Sequence, residues 1–230
     1  MFDRIFGKSP YKSPTDMGVN MAGFCITDDE VCKRAAKKEI IRRFFYSSCA
    51  VRQGLADPAE VAKIDLLMNT LGVQVTDLAV VKPALTRAKN TDGPAVAIEL
   101  LDGRIVTGKT TPLLGASAAV LLNALKELAD IPHDIPLISP IVIEPIQELK
   151  INHMGNRNPR LHTDEILIAL SICAATNPMA ARAMAQLQKL KGCDAHATTI
   201  LSRVDENVFK KIGVNITCEP EYEKKQLYHN

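Results

Sequence analysis

AVAIELLDGRIVTGK, residues 95–109, contains two apolar segments separated by Asp102 and Gly103. An Asp-Gly pair supplies the positive φ angles of a tight turn, so this stretch predicts a β-hairpin. The sequence from Gly103 to Thr110 also matches the phosphate-loop pattern G-x-x-x-x-G-K-T. A phosphate loop needs small, flexible residues around the phosphate, whereas Arg-Ile-Val-Thr favours a strand. We therefore predict a hairpin, and Lys109 and Thr110 remain candidates for binding an anion where the next helix begins.

Helical and strand-like segments alternate after the hairpin, which favours an α/β fold. The expected elements are a nearly all-apolar helix at 113–129, a helix opened by Ser139-Pro140, a central strand at 165–175, a helix from Asn177-Pro178 to Leu190, a strand at 195–201, a helix from Ser202 to Ile212 and a last strand at 214–218. Strands separated by helices predict a mixed sheet covered on both faces, with parallel pairing in its second half.

The chain before the hairpin is predicted to be a helical subdomain, residues 25–90. Its three helices are expected to begin at a capping box formed by Thr27 and Glu30, at the Asp57-Pro58 pair, and at Thr76, with the second ending at Gly72 and the third at Lys89. Apolar residues spread widely around the first helix, so we expect this subdomain to expose an apolar surface. The remaining parts are a loop at 1–24, an α/β subdomain at 91–220 and a polar tail at 221–230.

Composition excludes several classes of partner. The 230 residues are 47% hydrophobic, which is enough for a sizeable core, and 28 basic against 26 acidic side chains leave a net charge of only +2. Neither nucleic acid nor an anionic membrane is therefore an expected partner. No apolar run approaches the length of a membrane span, so we predict a cytoplasmic protein. Its six cysteines show no metal or redox spacing and are predicted to be reduced core residues.

A polar cluster precedes the predicted central strand. His162 and Asp164 follow Arg160, and ligands gather at strand ends in open α/β sheets. These three residues are our leading candidates for a binding or acid–base site, with His162 and Asp164 as the catalytic candidates. The alternative is that His162 and Asp164 only cap a turn, as short polar side chains often do.

A second group of candidates lies in the N-terminal loop, where hydroxyl and charged side chains are crowded together. The ligand-binding candidates there are Lys12, Ser13, Thr15, Asp16 and Asn20. Loops of this composition often carry function. The same residues could instead form a strap at an interface, and the sequence does not choose between the two.

Several long strings identify the chain as resembling a known family. They include SPYKSPTDMGVNMAG, EIIRRFF, DGRIVTGKT, LLGASAAVLLNALK, NPRLHTDEILIALSICAATNP and LSRVDENVFKKIGVNITCEP. Together they resemble the C-terminal half of the bacterial family catalogued as domain of unknown function 1846. The resemblance implies a helical subdomain followed by a three-layer α/β/α sandwich of cytidine-deaminase-like topology. It also implies a chain that lacks the glycine-rich N-terminal half of the family, which becomes its expected partner.

The zinc chemistry of deaminases is not expected. A zinc deaminase needs a His or Cys two residues before a catalytic Glu, on the helix after the hairpin, and a closely spaced Cys pair further on. That helix begins Gly-Ala-Ser-Ala-Ala at 115–119, and Cys173 and Cys193 are far apart. We predict no metal site, and no cofactor is indicated.

Two hypotheses for the function follow from these observations. In the first, the protein handles a nucleotide or another small phosphorylated ligand, in a cleft lined by the loop at 12–20, Lys109 and the Arg160 to Asp164 cluster. In the second, the chain is a non-catalytic oligomerisation or regulatory α/β module, which would include a homo-oligomer. Convergence of the three polar segments on one concave site would favour the first hypothesis.

Overall fold

The structure, a computed structural model, describes residues 28–223. The chain divides into two compact units, and the division falls between Leu78 and Ala79. The first unit contains helix α1 (Asp29–Arg52), helix α2 (Pro58–Leu71) and a 3-10 turn (Val75–Asp77). All strands of the described chain belong to the second unit.

The two helices of the first unit have clear capping signals. The side chain of Asp28 accepts a hydrogen bond from Val31 N at 3.0 Å and caps α1. The predicted capping residue Thr27 lies outside the described residues. The prediction for α2 is confirmed, because Asp57 accepts from Ala59 N at 2.9 Å and Gly72 ends the helix with φ of 63°.

The predicted third helix of the helical block belongs to the second unit. It is helix α3 (Val81–Thr91), and it packs against the sheet. Val81 and Ala84 form its buried face, and Pro83 lies in its first turn, where the missing N–H breaks no helical hydrogen bond. The division at residue 78 therefore differs from the predicted boundary at residue 90, because this apolar face packs on strands that the sequence places later.

Four strands form a mixed sheet in the second unit. They are β1 (Ala95–Glu99), β2 (Ile105–Lys109), β3 (Asp194–Ala197) and β4 (Asn215–Cys218), in the order β2-β1-β3-β4. Strand β1 is antiparallel to β2 and β3, whereas β3 and β4 are parallel. The hairpin prediction is confirmed by pairs such as Glu99 with Ile105, and Gly103 has φ of 85° in its turn.

Helix α4 (Ala116–Leu128) packs directly on β2. A Cβ atom on Gly108 would lie only 2.2 Å from Val120 N, so the strand and the helix backbones touch at this position. Val96 and Ile98 of β1 join the same apolar core. The second glycine of the phosphate-loop match is therefore required by packing.

The other helices of the second unit surround this core. They are α5 (Pro140–Glu148), which continues through Pro145 into a π turn (Leu149–His153), α6 (Thr163–Ala174), α7 (Pro178–Met184), a 3-10 turn (Leu187–Leu190) and α8 (Arg203–Ile212). Strands β2, β3 and β4 run in the same direction. Their carboxyl ends therefore share one edge of the sheet, and α4 and α8 begin beyond that edge.

The predicted central strand at 165–175 is wrong, because the segment is helix α6. Ile166, Ala169 and Leu170 are buried at helical spacing, whereas Ile168 and Ile172 on the other face are 61% and 62% exposed. The helical periodicity could not be recognised in the sequence, because both faces of the helix carry isoleucine or leucine and the apolar run is continuous. The sheet consequently has four strands where five were expected.

Candidate functional site

A cavity of about 220 Å³ opens at the edge of the sheet where α4 and α8 begin. It lies entirely within the second unit. The wall residues important for its chemistry are Thr110, Gly115, Ser117, Arg160, His162, Ser202 and Asp205. The cavity is therefore surrounded by the first residues of three helices, α4, α6 and α8.

The first turn of α4 presents polar groups to this cavity. Gly115 is its N-cap residue, and no side chain caps the helix. The N–H groups of Ser117 and Ala118 therefore lack the partner that an ordinary N-cap side chain supplies. Ser117 is only 4% exposed and lines the cavity. A hydroxyl group beside the free backbone N–H groups of an uncapped helix start is suited to a bound anion.

A short backbone link joins this helix start to the opposite wall. Gly115 N donates to Leu161 O at 3.2 Å, and Leu161 N donates to Leu113 O at 3.0 Å. The residues on either side of Leu161 are Arg160 and His162. The link therefore places both side chains beside the start of α4.

Asp205 holds His162 through a dense set of hydrogen bonds. The buried carboxylate accepts from His162 Nδ1 at 3.0 Å and from Ser202 Oγ at 2.8 Å. It also accepts from Thr163 through the backbone N and the hydroxyl, both at 2.9 Å. A carboxylate only accepts, so the proton between the two groups resides on His162 Nδ1. The ring is thus fixed by its Nδ1, and Nε2 is the nitrogen left for the cavity.

This hydrogen bond shifts the pKa of both partners. The bond to Asp205 raises the pKa of His162 above its ordinary value, although partial burial acts in the opposite direction. Burial tends to raise the pKa of Asp205, but the hydrogen bonds from His162, Thr163 and Ser202 outweigh burial and bring it below its ordinary value. The pair is therefore stabilised in its charged form, imidazolium with carboxylate.

A buried lysine supports the backbone of the same wall. Lys150, in the π turn after α5, is 3% exposed, and its Nζ donates to Arg160 O and to Glu165 Oε2, both at 2.7 Å. Glu165 Oε2 also accepts from His162 N at 2.8 Å, which caps α6. Lys150 and Glu165 together fix the backbone that carries Arg160 and His162.

Arg160, two residues before His162 in the sequence, places a positive charge in the cavity wall. Its guanidinium donates to Glu223 at 2.9 Å, and its backbone N donates to Asn158 Oδ1 at 3.1 Å. Glu223 also lines the cavity. The wall therefore carries an ion pair, in which the carboxylate of Glu223 holds the guanidinium of Arg160 in place.

The structure brings together some of the predicted site residues. Thr110, Arg160 and His162 line one cavity. Lys109 ends β2 and is not part of the lining, and Asp164 accepts a hydrogen bond from Glu165 N at 2.8 Å within its own helix. The candidates Lys12, Ser13, Thr15, Asp16 and Asn20 lie outside the described residues.

Sequence reasoning missed Ser117, Asp205 and the buried pair of Lys150 and Glu165. Two local signals were available, because Ser202 with Asp205 and His162 with Glu165 have the three-residue spacing of capping residues. Neither signal shows that Asp205 contacts a residue 43 positions earlier. Ser117 gives no signal in an apolar helix.

His196, which the sequence places at the start of a strand, is fully buried in β3. Its Nδ1 lies 2.8 Å from Thr217 Oγ1 and its Nε2 lies 3.2 Å from Glu219 Oε1. Both ring nitrogens are engaged with the β4 side of the sheet. His196 is therefore absent from the cavity lining.

Among residues 28–223, no three His, Cys, Asp or Glu side chains are grouped so that they could hold a metal ion. None of the helices in this part of the chain combines the length and apolar character needed to cross a membrane.

These features define an α/β domain with a polar cavity at the carboxyl edge of its sheet. The chain belongs to the family described as domain of unknown function DUF1846. Residues 76–228 match the family's C-terminal domain, and residues 1–72 match its N-terminal domain.

Similar proteins occur in several bacteria. A UPF0371 protein of Corynebacterium efficiens is 55% identical over 228 residues, which is 99% of this chain and 46% of that protein. UPF0371 proteins of Corynebacterium glutamicum and Streptococcus pneumoniae are each 54% identical over the same shares of both chains. The chain thus spans about half the length of the curated relatives it matches.

The matches correct the expectation that the chain represents the C-terminal part alone. Residues 1–72 match the N-terminal domain of the family, so sequence of both family domains is present in one chain. The two matched segments meet at residues 72–76, close to the division between the two structural units at Leu78.

Proposed function

We propose that this protein binds a small phosphorylated ligand in the cavity, with the phosphoryl group at the start of α4. The observation that carries the proposal is the uncapped start of α4 at the cavity, where Gly115 supplies no capping side chain and the nearly buried Ser117 lines the wall. The helix dipole adds positive potential at this position. Arg160 and Thr110 supply further donors from the cavity wall.

The size of the cavity limits the ligand. Sites for whole drug-sized molecules usually measure about 300–1,000 Å³, whereas this cavity measures about 220 Å³. It can hold a phosphoryl group and a few further atoms. If the ligand is a nucleotide, its phosphate occupies the cavity and its base lies outside.

Binding of inorganic phosphate, ribose 5-phosphate and AMP, measured by isothermal titration calorimetry, tests the proposal. Gly115→Asp supplies α4 with a capping carboxylate, so we expect a helix that is at least as stable and an anion site that is blocked. Space exists for this side chain, since a Cβ on Gly115 would approach nothing closer than Leu161 O at 3.7 Å. Ser117→Ala should weaken phosphate binding by about tenfold, the value of one hydrogen bond to a charged ligand.

Two matched variants control for nonspecific effects. Gln188→Glu adds the same negative charge at an exposed position away from the cavity lining, and Ser139→Ala removes an exposed hydroxyl that caps no helix. Both should bind phosphate as the unmodified protein does. If none of the three probes binds, or if Gly115→Asp binds them normally, the proposal is wrong.

The finer description of the fold is also a proposal. We infer a deaminase-like topology for the second unit, supported by the succession of hairpin, helix, and then strands separated by a helix. A cytoplasmic location and the subdivision at residues 24 and 220 stay predictions from the sequence.

The second candidate function is a non-catalytic oligomerisation module. The exposed face of α6, with Ile168 and Ile172, favours it, because large apolar side chains at helical spacing often mark an interface. Sedimentation velocity of the protein and of the Ile168→Glu variant tests this reading. A complex that the variant dissociates would support it, and a monomer at all concentrations would exclude self-association through this face.

A further inference from the structure

We propose that His162 and Asp205 form a proton-transfer pair, in which His162 Nε2 donates its proton to an oxygen of the bound phosphorylated ligand. This inference rests on the proposed function. It adds a chemical role, because it makes the site one that can exchange a proton with its ligand and not only hold it. The reaction class is proton transfer to or from a ligand oxygen.

The geometry assigns different tasks to the two ring nitrogens. Nδ1 lies 3.0 Å from Asp205 Oδ2 and carries the proton of that hydrogen bond. Nε2 has no hydrogen-bond partner within residues 28–223, although the ring lines the cavity. A carboxylate that orients Nδ1 and leaves Nε2 facing a reactant is the arrangement used for general acid–base catalysis by histidine.

The carboxylate itself is held rigidly. Asp205 accepts three further hydrogen bonds, from Thr163 N, Thr163 Oγ1 and Ser202 Oγ, at 2.8–2.9 Å. Each comes from a residue at the start of a helix, α6 or α8. The orientation of the imidazole is therefore set by two helix starts, which is the support that a preorganised acid–base group needs.

The charges around the ring come from several elements. Asp205 of α8 and Glu165 of α6 favour the imidazolium, and Lys150 of the π turn disfavours it. Arg160 and Glu223, which also line the cavity, are paired with each other. The charges of Arg160 and Glu223 compensate each other, so the protonated ring adds a positive charge to the cavity wall.

A ligand dianion will bind more tightly to the imidazolium than to the neutral ring. When Nε2 gives its proton to a ligand oxygen, the neutral ring keeps the proton on Nδ1, hydrogen-bonded to Asp205, and the ligand loses one negative charge. Binding and protonation of His162 must consequently be coupled in both directions.

Sulfate is the probe for this coupling, since it remains a dianion throughout the range in which histidine titrates. We would measure sulfate affinity by calorimetry from about pH 5.5 to 8.5, and the His162 ring by NMR over the same range. Affinity should fall by about tenfold per pH unit above the pKa of His162, and sulfate should raise that pKa. Long-range ¹H–¹⁵N correlation should show the neutral ring protonated at Nδ1.

Variants separate the pair from the rest of the site. His162→Gln should bind sulfate with an affinity that is flat across this range, whereas His133→Gln, at an exposed histidine, should keep the full pH dependence. Asp205→Asn should lower the pKa of His162 and move the fall in affinity to lower pH. If this variant fails to fold, the ring titration and tautomer of the unmodified protein still decide the matter.

The outcomes are distinguishable. Sulfate affinity with the same pH dependence in His162→Gln, or a neutral ring protonated at Nε2, overturns the proton-transfer pair and leaves the phosphate site standing. Absence of phosphate and sulfate binding at every pH overturns the proposed function itself.

Discussion

Replacing Gly108 with alanine tests the closest contact of the second unit. The new Cβ would lie 2.2 Å from Val120 N and 2.6 Å from Val120 Cα, whereas ordinary contact begins near 3.4 Å. Both atoms belong to the backbone of α4, so no side-chain rotation relieves the clash. The helix and β2 must separate by about 1 Å, which opens the core around Val120. Overpacking usually costs about 1–3 kcal/mol, and we expect about 3 kcal/mol here because backbone must move.

The cost can be measured as a change in the free energy of unfolding. Urea denaturation followed by circular dichroism reports it, and hydrogen exchange of residues 95–109 shows whether the loss lies in the hairpin. Gly93→Ala is the matched control, because its Cβ would approach nothing closer than Thr91 O at 3.8 Å and its φ lies outside the left-handed region. The control should change stability by no more than about 0.5 kcal/mol.

A stable Gly108→Ala protein would refute the reasoning. If it unfolds within about 1 kcal/mol of the unmodified chain, the helix does not approach the strand as closely as described. Because α4 begins at the cavity, a shift of this helix should also weaken phosphate binding. Loss of stability with unchanged phosphate binding would contradict the link between packing and site.

Two further predictions concern the residues that hold His162. Asp205→Asn should cost about 2 kcal/mol of folding stability through weakened charged hydrogen bonds, measured by urea denaturation. The cost should be greatest between pH 3.8 and 6.5. The raised pKa of His162 stabilises the fold fully below pH 6.5, and this contribution is lost as the pH rises through the pKa of the folded state; the lowered pKa of Asp205 stabilises the fold above pH 3.8. A difference in stability that does not change with pH would contradict the pairing. Lys150→Met should cost about 2 kcal/mol, since it leaves Glu165 and the carbonyl of Arg160 without this donor, and should raise the pKa of His162 by removing a nearby positive charge, which NMR titration would detect. An unchanged pKa would show that Lys150 acts on the backbone alone.

The hairpin and the helix caps could be predicted because their signals are local. Asp102 and Gly103 specify the turn, and Asp57 with Pro58 specifies a helix start, through contacts within a few residues. Helix α6 could not be distinguished from a strand, because Ile168 and Ile172 make its exposed face as apolar as its buried one. Packing against α4, α7 and α8 decides which face is covered.

The site could be predicted in part for the same reason. Arg160 and His162 stand out as polar residues before an apolar run, and they do line the cavity. Their partner Asp205 lies in another helix, and the pairing depends on β2 and β3 ending at one edge of the sheet. No residue spacing in the sequence predicts the contact between His162 and Asp205.

The phosphate-loop match gains a physical explanation from the fold. Gly103 is required by a turn with φ of 85°, and Gly108 by the contact with α4, so neither glycine surrounds a phosphate. The uncapped donors that suit an anion come several residues later, at Gly115 to Ser117. Gly108 still contributes to the site, because it allows α4 to pack directly on β2 and so fixes where those donors point. The residues that match the phosphate-loop pattern therefore form a hairpin, and the proposed anion site lies at the helix start that follows them.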